Sequence, residues 1–283
     1  MRRIRSYPAM TARVGVIACY LVSGILTVRA ADLDDIVRRA TAALKSDWAA
    51  DPLYSYVEKD EVQKGDKVTS KTFEDIMIDG SDYHLPLGVN DERIPQVAYN
   101  AELNRMEREV ERRSNETSLE REARINAWKK RHDEEGELLL DFPGILTFRV
   151  IGEEVKDGRP AYLLAATPRP RVVPTTRAAK VLTGVEGKVW VDKETLHPIR
   201  IECTVVRPVP VYGMLASVLP GTEIEIVMTQ VEPSIWLIDL VSMKLKVSEI
   251  HLFKSVSTTR TTYSHYRLNR PALDDLLSEA ARQ

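Results

Sequence analysis

The stretch that most constrains the fold is residues 184–207, which contains two β-type runs separated by a polar corner. The runs span 188–191 and 198–206, and the corner reads Asp192-Lys193-Glu194-Thr195. Apolar runs on both sides of a turn-forming cluster are typical of an antiparallel hairpin. The chain is therefore expected to build an antiparallel sheet that its other elements cover.

Further β-type runs recur along the chain, at residues 53–63, 67–78, 145–155, 161–167, 223–228, 235–247 and 252–268. The corner after 145–155 contains Asp157-Gly158, a strong hairpin signal because glycine tolerates positive φ. In the last run, simple alternation places Tyr263 and Tyr266 on opposite faces. Because the runs follow one another as hairpins, we expect an antiparallel meander.

Helix-forming patterns occupy residues 33–47 and 96–137, and shorter ones follow at 176–183 and after Pro271. The segment 96–137 is crowded with charged residues, and its two apolar stripes are out of phase. Thr117 and Glu120 fit a capping box near the break, so we expect two helices. We interpret the segment as a solvated insertion packed on the sheet, with a partner-binding arm as the alternative.

The first 30 residues have the composition of a secretory signal peptide. Several arginines precede an apolar stretch at 14–28, and small residues before Ala31 suit cleavage there. The stretch is shorter than the roughly 20 residues of a membrane span, which disfavours an anchor. A lipoprotein modified at Cys19 is the other alternative, although most of the apolar stretch follows that cysteine. We expect a periplasmic protein in which residues 31–283 form one domain.

Without that segment the chain keeps 35 basic and 42 acidic residues, a formal charge of −7. This balance disfavours a nucleic-acid partner, which would require a basic face. Cys203 is then the one remaining cysteine, so no internal disulfide can form. It alternates with Ile201 and Val205, which predicts a buried apolar residue and not a nucleophile.

No motif predicts catalysis, a cofactor or a metal. There is no Gly-x-Ser-x-Gly elbow, no phosphate-binding glycine loop and no His-Glu-x-x-His. The histidines lack metal-ligand spacing and are expected to be ordinary turn or surface residues: His84, His132, His197, His251 and His265. A non-enzymatic protein is therefore expected.

Residues 208–221 combine helix- and strand-breaking prolines with an apolar composition that is unusual for a loop. The segment is either a plug that closes one end of the core or an apolar flap beside a ligand cavity.

The hairpin at 184–207 also resembles a known family. Its segments 187–192 and 197–202 read GKVWVD and HPIRIE, and they are similar to the G-x-x-W-x-D … P-x-R-x-E hairpin of periplasmic LolA/LolB-like proteins, the outer-membrane lipoprotein-sorting superfamily. A second similarity lies at 231–237, where Trp236 opens a strand after a turn. The resemblance extends over about residues 51–268, and the insertion at 96–137 departs from it.

The resemblance implies an α+β fold in which a strongly curved antiparallel sheet, an incomplete barrel, has its concave side covered by helices. It also implies an apolar cavity that holds acyl chains of lipoproteins or other lipids, which need a dry pocket in an aqueous compartment. The candidate lining residues are Trp190, Tyr212, Met214, Leu215, Leu219 and Trp236.

Three functional hypotheses follow. The first is non-enzymatic binding of a lipid or acyl chain, with lipoproteins or envelope proteins as possible partners and peripheral contact with a membrane. The second is a protein-interaction module in envelope sensing or assembly that uses the helices at 96–137. The third is a hydrolase, which would require a polar cluster in the cavity.

Overall fold

The computed structural model describes residues 30–211, 216–249 and 253–269. The expected signal peptide with Cys19 and the expected helix after Pro271 fall outside these ranges, as do Tyr212, Met214 and Leu215 of the apolar segment. No helix within the described ranges combines the length and apolar character needed to cross a bilayer.

The helices of the described ranges are α1 (Ala30–Ala50), α2 (Gln96–Ser114), α3 (Ser118–Ile145) and α4 (Arg177–Leu182), with a 3₁₀ turn at Asp51–Leu53. The expected break between α2 and α3 is confirmed. The Thr117 hydroxyl accepts a hydrogen bond from the Glu120 amide at 3.3 Å, and the Glu120 carboxylate accepts one from the Thr117 amide at 2.9 Å. This reciprocal capping box starts α3 at the predicted place.

Helix α3 is longer than the sequence suggested. The charged insertion was expected to end near residue 137, but the helix continues to Ile145 through Pro143. Leu139 and Phe142, on its final turns, are buried in the main core. Tertiary burial of this apolar face therefore outweighs the low helix propensity of the residues around it.

The strands are β1 (Tyr54–Lys64), β2 (Lys67–Ile78), β3 (Ser81–Val89), β4 (Glu92–Arg93), β5 (Leu146–Lys156), β6 (Arg159–Pro168), β7 (Val185–Asp192), β8 (Pro198–Val205), β9 (Val209–Pro210), β10 (Ala216–Val218), β11 (Glu223–Glu232), β12 (Ile235–Glu249) and β13 (Phe253–Leu268). They form one antiparallel sheet in the order β4-β3-β2-β1-β13-β12-β11-β8-β7-β6-β5, with β10 paired to β12 and β9. Most neighbours are sequential hairpins, as expected. The pairs β1·β13, β8·β11 and β10·β12 are not, so the topology is more than a simple meander.

The sheet is strongly curved and is not closed, which confirms the α+β half-barrel. Its inner face is defined as the face that the helices cover. Residues on this face from six adjacent strands surround a single cavity; in sheet order these strands are β3, β2, β1, β13, β12 and β11. Six strands of a flat sheet would span about 24 Å, which is too far for one small cavity to contact all of them. The sheet therefore curves around the cavity.

The hairpin at 184–207 forms β7 and β8 as expected. Asp192, only 1% exposed, accepts hydrogen bonds from the amides of Glu194 and Thr195 at 3.0 and 2.7 Å, which confirms its role as a turn residue. Cys203 on β8 is buried, and burial raises the pKa of its thiol to about 12. This environment agrees with a core residue and disfavours a thiolate nucleophile.

Candidate ligand-binding site

The inner face of the sheet is filled at one end and open at the other. Helices α1 and α3 cover the strands around β7 so closely that a void of about 40 Å³ remains there. At the other end, a cavity of about 430 Å³ lies between strands β1, β2, β3, β11, β12 and β13, the end of α1, and α3. This cavity is the candidate site.

One wall of the cavity is aromatic. Tyr56 contacts both Tyr263 and Tyr266, with ring centroids 5.6 and 5.3 Å apart, and Tyr54 meets Tyr266 edge-on at 6.4 Å. Tyr54 and Tyr56 are two residues apart on β1, so strand alternation places both on the inner face. Together the rings offer a broad apolar surface to a ligand.

A β-bulge places Tyr263 and Tyr266 on the same wall. The register of β1 against β13 shifts between Ser55 and Val57, and His265 has a φ of 57°. One extra residue in β13 reverses the alternation beyond it. The expectation that the two tyrosines face opposite sides is therefore wrong, because alternation cannot account for an unpredicted bulge.

The opposite end of the cavity is acidic. Glu58 on β1, Asp75 on β2 and His84 on β3 each direct one side-chain atom to a common point, with these atoms all within 4.8 Å of one another. His84 Nδ1 lies 3.5 Å from an Asp75 oxygen, and its Nε2 lies 3.0 Å from an oxygen of Asp82. The polar cluster that the hydrolase hypothesis required is thus present.

Three acids of the cavity hold their protons more tightly than usual. Burial, followed by the charge of Asp60, raises the pKa of Glu58 to about 7, and burial raises that of Asp75 to about 6. Burial also raises the pKa of Asp51 to about 7. Conversely, the hydrogen bond to Asp82 raises the pKa of His84 to about 9. The cavity therefore favours positive charge at this end.

Helix α3 roofs the cavity. His132 is stacked between Trp48 of α1 and Trp128, with centroid distances of 4.4 and 5.2 Å, and burial lowers its pKa. Arg131 reaches down from the same helix to Asp82, at 3.3 Å. The roof is thus held to both α1 and β3.

Two arginines of the helical insertion hold it on the turn between β2 and β3. The buried guanidinium of Arg113 donates to the carbonyls of Ile78, Ser81 and Asp82 at 2.6, 3.0 and 3.0 Å. Arg124 donates to the Ser81 hydroxyl at 2.8 Å and pairs with Glu116 at 2.7 Å. The interpretation of residues 96–137 as an insertion packed on the sheet agrees with these polar contacts.

The sequence-predicted site residues lie away from this cavity. Trp190 alternates with Val189 and Val191, which face α1, so its ring lies on the outer face of the sheet. There its Nε1 donates to Glu154 at 2.5 Å, and the ammonium of Lys156 lies 4.2 Å from the ring centroid. Trp190 does not line the cavity, because β7 lies at the filled end of the sheet and the ring is on its outer face.

Trp236 and Leu219 are also placed elsewhere. The Trp236 amide donates to Asp47 at 3.1 Å, and its ring stacks on His197 at 5.7 Å beneath the end of α1. Leu219 is half-buried beside β12, where its amide donates to the carbonyl of Lys246 at 2.8 Å. Tyr212, Met214 and Leu215 lie outside the described residues.

Sequence reasoning missed the residues that build the cavity. His84 and His132 line it, where ordinary turn or surface positions were expected. A usable signal was the alternation Tyr54, Tyr56, Glu58, which places two aromatic rings and an acid on one face of a strand directly after α1. The other members come from distant strands and leave no local motif.

Comparison with known proteins gives similarity at the level of solved structures. No protein-family model matches the chain, and no curated protein does. The chain is similar to a DUF1329 family protein from Desulfovibrio piger, with 15% identity, coverage of 82% of this chain and 93% of that one, and a TM-score of 0.32. It is also similar to a putative outer membrane lipoprotein-sorting protein domain from Vibrio parahaemolyticus (12% identity, 82% and 92% coverage, TM-score 0.32).

A third similar structure is a LolA superfamily protein from Nitrosomonas europaea, with 11% identity, coverage of 83% and 92%, and a TM-score of 0.33. LolA superfamily and lipoprotein-sorting structures are thus among those that this chain is similar to, as the hairpin resemblance predicts. Because the identities and TM-scores are low, we draw nothing about function from these similarities.

Proposed function

We propose that this protein is a non-enzymatic binding protein that holds a lipid or acyl chain in the cavity beneath α3. The observation that carries the proposal is the aromatic wall of Tyr54, Tyr56, Tyr263 and Tyr266 along a cavity of about 430 Å³. Small-molecule sites occupy about 300–1,000 Å³ and combine apolar walls with a few polar groups. Transfer of an apolar chain from water to such a wall is favourable by about 25 cal/mol per Å² of buried apolar surface.

The charge of the cavity restricts the polar end of the ligand. Glu58, Asp75 and Asp51 lie along the cavity lining, and above about pH 7, where all three are ionised, a free fatty acid would place its carboxylate among like charges. Like charges in a partly buried site repel strongly. The proposed ligand is therefore an esterified chain or another amphiphile without a negative head group, which refines the expectation of a wholly apolar pocket.

A matched pair of substitutions tests this function. Val241 lines the cavity, and Val256 is 53% exposed and outside its lining. Val241→Trp should fill the cavity and lower the affinity for a fluorescent monoacylglycerol at least tenfold, and Val256→Trp should leave the affinity unchanged. The affinity of the wild type for a fatty acid with the same chain and fluorophore should be lower than its affinity for the monoacylglycerol. Equal binding by both tryptophan variants, or no uptake by the wild type, would overturn the proposal.

The same experiment distinguishes lipid binding from the hydrolase hypothesis. Thr261 is the only serine, threonine or cysteine in the described lining, and its hydroxyl donates to the Asp60 carboxylate at 2.7 Å, so neither a serine nor a cysteine nucleophile is present in the described lining. Mass spectrometry of the bound monoacylglycerol should return the intact ester. Release of free acid by the wild type, lost in Glu58→Gln, would establish hydrolysis instead.

The interaction-module hypothesis is less well supported. The apolar residues exposed on the insertion include Val97 and Leu119, at 83% and 77%, which lie on different helices. Isolated apolar residues are normal on protein surfaces, whereas a partner site requires a contiguous patch. We therefore assign the insertion the role of holding the roof of the cavity.

We further propose that the protein acts in the periplasm, following the composition of residues 1–30. Intact-mass measurement on protein from the periplasmic fraction should give a chain that begins at Ala31. A lipid-modified mass with Cys19 at the N-terminus would favour the lipoprotein alternative, and a full-length mass in the cytoplasmic fraction would contradict secretion.

A further inference from the structure

The acidic end of the cavity has the arrangement of a three-ligand metal site. Asp75 and His84 are directly opposite each other on β2 and β3, and Glu58 is diagonal to Asp75 across the β1–β2 pair. Side chains at such positions on one face of a sheet are within contact distance. Three adjacent strands thus supply one nitrogen and two carboxylate ligands to a single point.

The histidine is held as metal-ligating histidines are. Its Nε2 lies 3.0 Å from an Asp82 oxygen, which leaves Nδ1 directed at Asp75, 3.5 Å away. A carboxylate that accepts the second ring N–H fixes the tautomer and orientation of a ligating imidazole. Arg131 contacts the other oxygen of Asp82 at 3.3 Å, so the supporting carboxylate is itself fixed.

The position of the cluster distinguishes it from a solvated group of surface acids. The Asp75 side chain is 9% exposed at the base of the site, and that of His84 is 48% exposed at its edge. Among the residues that line the cavity, Arg131 is the only lysine or arginine, and it is paired with Asp82. The base of the site therefore has carboxylates without a neighbouring arginine or lysine, and the edge is accessible to an ion from solvent.

We propose that Glu58, Asp75 and His84 bind one divalent zinc ion, with its remaining coordination positions facing the cavity. One imidazole and two carboxylates are ligands that Zn²⁺ accepts, and three protein ligands with an open position are a common zinc arrangement. In a tetrahedral site the ligand atoms are about 3.3 Å apart. The ligand atoms lie within 4.8 Å of one another, so zinc binding would draw them together by about 1.5 Å at most. The proposal does not depend on lipid binding, and the lower affinity for a fatty acid argued above applies to the metal-free protein, because a bound Zn²⁺ would attract a carboxylate.

Zinc titration of the purified, lipid-free protein against a chromophoric chelator tests the site. We expect one Zn²⁺ per chain, with His84→Ala and Asp75→Asn each weakening binding at least a hundredfold. His265→Ala is the matched control, since that histidine is exposed outside the cavity lining, and it should bind as the wild type does.

Cobalt substitution gives a second measurement. Co²⁺ bound by one nitrogen and two carboxylates should show visible absorption bands that are lost in His84→Ala, while thermal unfolding confirms that the variant is folded. Equal zinc affinity of the His84→Ala and His265→Ala variants, or no stoichiometric binding by the folded wild type, would overturn the proposal. Val241→Trp should retain zinc while losing lipid, so failure of one proposal is distinguishable from failure of the other.

Discussion

The indole ring of Trp48 and the imidazole ring of His132 are stacked, with centroids 4.4 Å apart and planes inclined by 13°. Trp48 lies in the last turn of α1, and His132 lies near the middle of α3. The stack therefore joins the two helices that border the cavity. Trp128 covers the other side of the imidazole at 5.2 Å, so the ring is held between two indoles.

Replacement of His132 should loosen this roof. Stacked ring pairs contribute about 0.5–1.5 kcal/mol beyond the area they bury, so His132→Ala should lower the free energy of unfolding by about 1 kcal/mol. Denaturant titration would measure the loss, and hydrogen exchange should show faster exchange of the α3 amides around residue 132. His132→Phe keeps a stacking ring and should restore most of the stability. Equal loss in both variants would contradict the role of the stack.

Arg113 should be one of the most sensitive positions of the helical insertion. Its side chain is 6% exposed and donates to three backbone carbonyls of the turn between β2 and β3. Arg113→Ala would leave buried carbonyls without donors, and we expect a loss of about 3 kcal/mol. Chemical denaturation would measure this value, and proteolysis should become faster within α2.

The neighbouring Arg112 provides the control. Its side chain is 54% exposed, and it pairs with Glu109 and with the buried side chain of Glu116, which keeps Arg124 as a second partner. Exposed ion pairs contribute about 1 kcal/mol or less, so Arg112→Ala should cost little. Similar losses in the free energy of unfolding of the two variants would show that the charge of the insertion stabilises the protein, and not the buried contacts of Arg113.

Asp51 should make the protein less stable at alkaline than at acidic pH. Its pKa is about 7 in the folded protein against an ordinary 3.8, because it is largely removed from water and lies near Asp75 and Glu135. The folded state thus retains a proton that the unfolded chain releases between about pH 4 and 7. The stabilising contribution is complete below about pH 4 and is lost as the pH rises through 7.

Asp51→Asn removes this titration. The variant should gain about 2 kcal/mol over the wild type at pH 8, less than the full shift implies because the side chain is partly exposed. At pH 4 the two proteins should differ little. Thermal unfolding in the presence of a chelator would measure both, with the exposed Asp239→Asn as the control. A gain that is the same at both pH values would contradict the assignment.

The elements that depend on local chemistry were predictable from the sequence. Asp157 and Gly158 adopt φ values of 50° and 80°, as a tight hairpin turn requires, and Thr117 caps α3 at the expected residue. Each signal is complete within a few consecutive residues. The hairpin framework and the split of the insertion into two helices therefore follow from local patterns.

The cavity depends on contacts between distant parts of the chain and was not predictable. The pairing of β1 with β13 brings Tyr56 beside Tyr263, and nothing near either residue specifies the other. The bulge at His265 then reverses the alternation that a simple strand would follow. Trp190 shows the converse. Its local motif was recognisable in the sequence, but its position on the strand directs the ring to the outer face of the sheet.

Gly136 should resist substitution because α1 approaches α3 closely there. A Cβ at this position would lie 2.6 Å from Cε2 and 2.7 Å from Nε1 of Trp48. Alanine gains about 1 kcal/mol in helix propensity over glycine, but overpacking against a rigid ring costs about 1–3 kcal/mol. The indole is also held by His132, so Gly136→Ala should lower stability by about 1 kcal/mol and shift tryptophan fluorescence.

Gly144, near the end of the same helix, separates the steric effect from the propensity effect. No atom lies within 4 Å of a Cβ built there, so Gly144→Ala should be neutral or stabilising by up to about 1 kcal/mol. Denaturant titration of the two variants side by side would measure both values. A lower free energy of unfolding for Gly136→Ala together with an unchanged or higher one for Gly144→Ala would locate the close contact at Trp48. A gain in both variants would show instead that the indole moves aside at little cost.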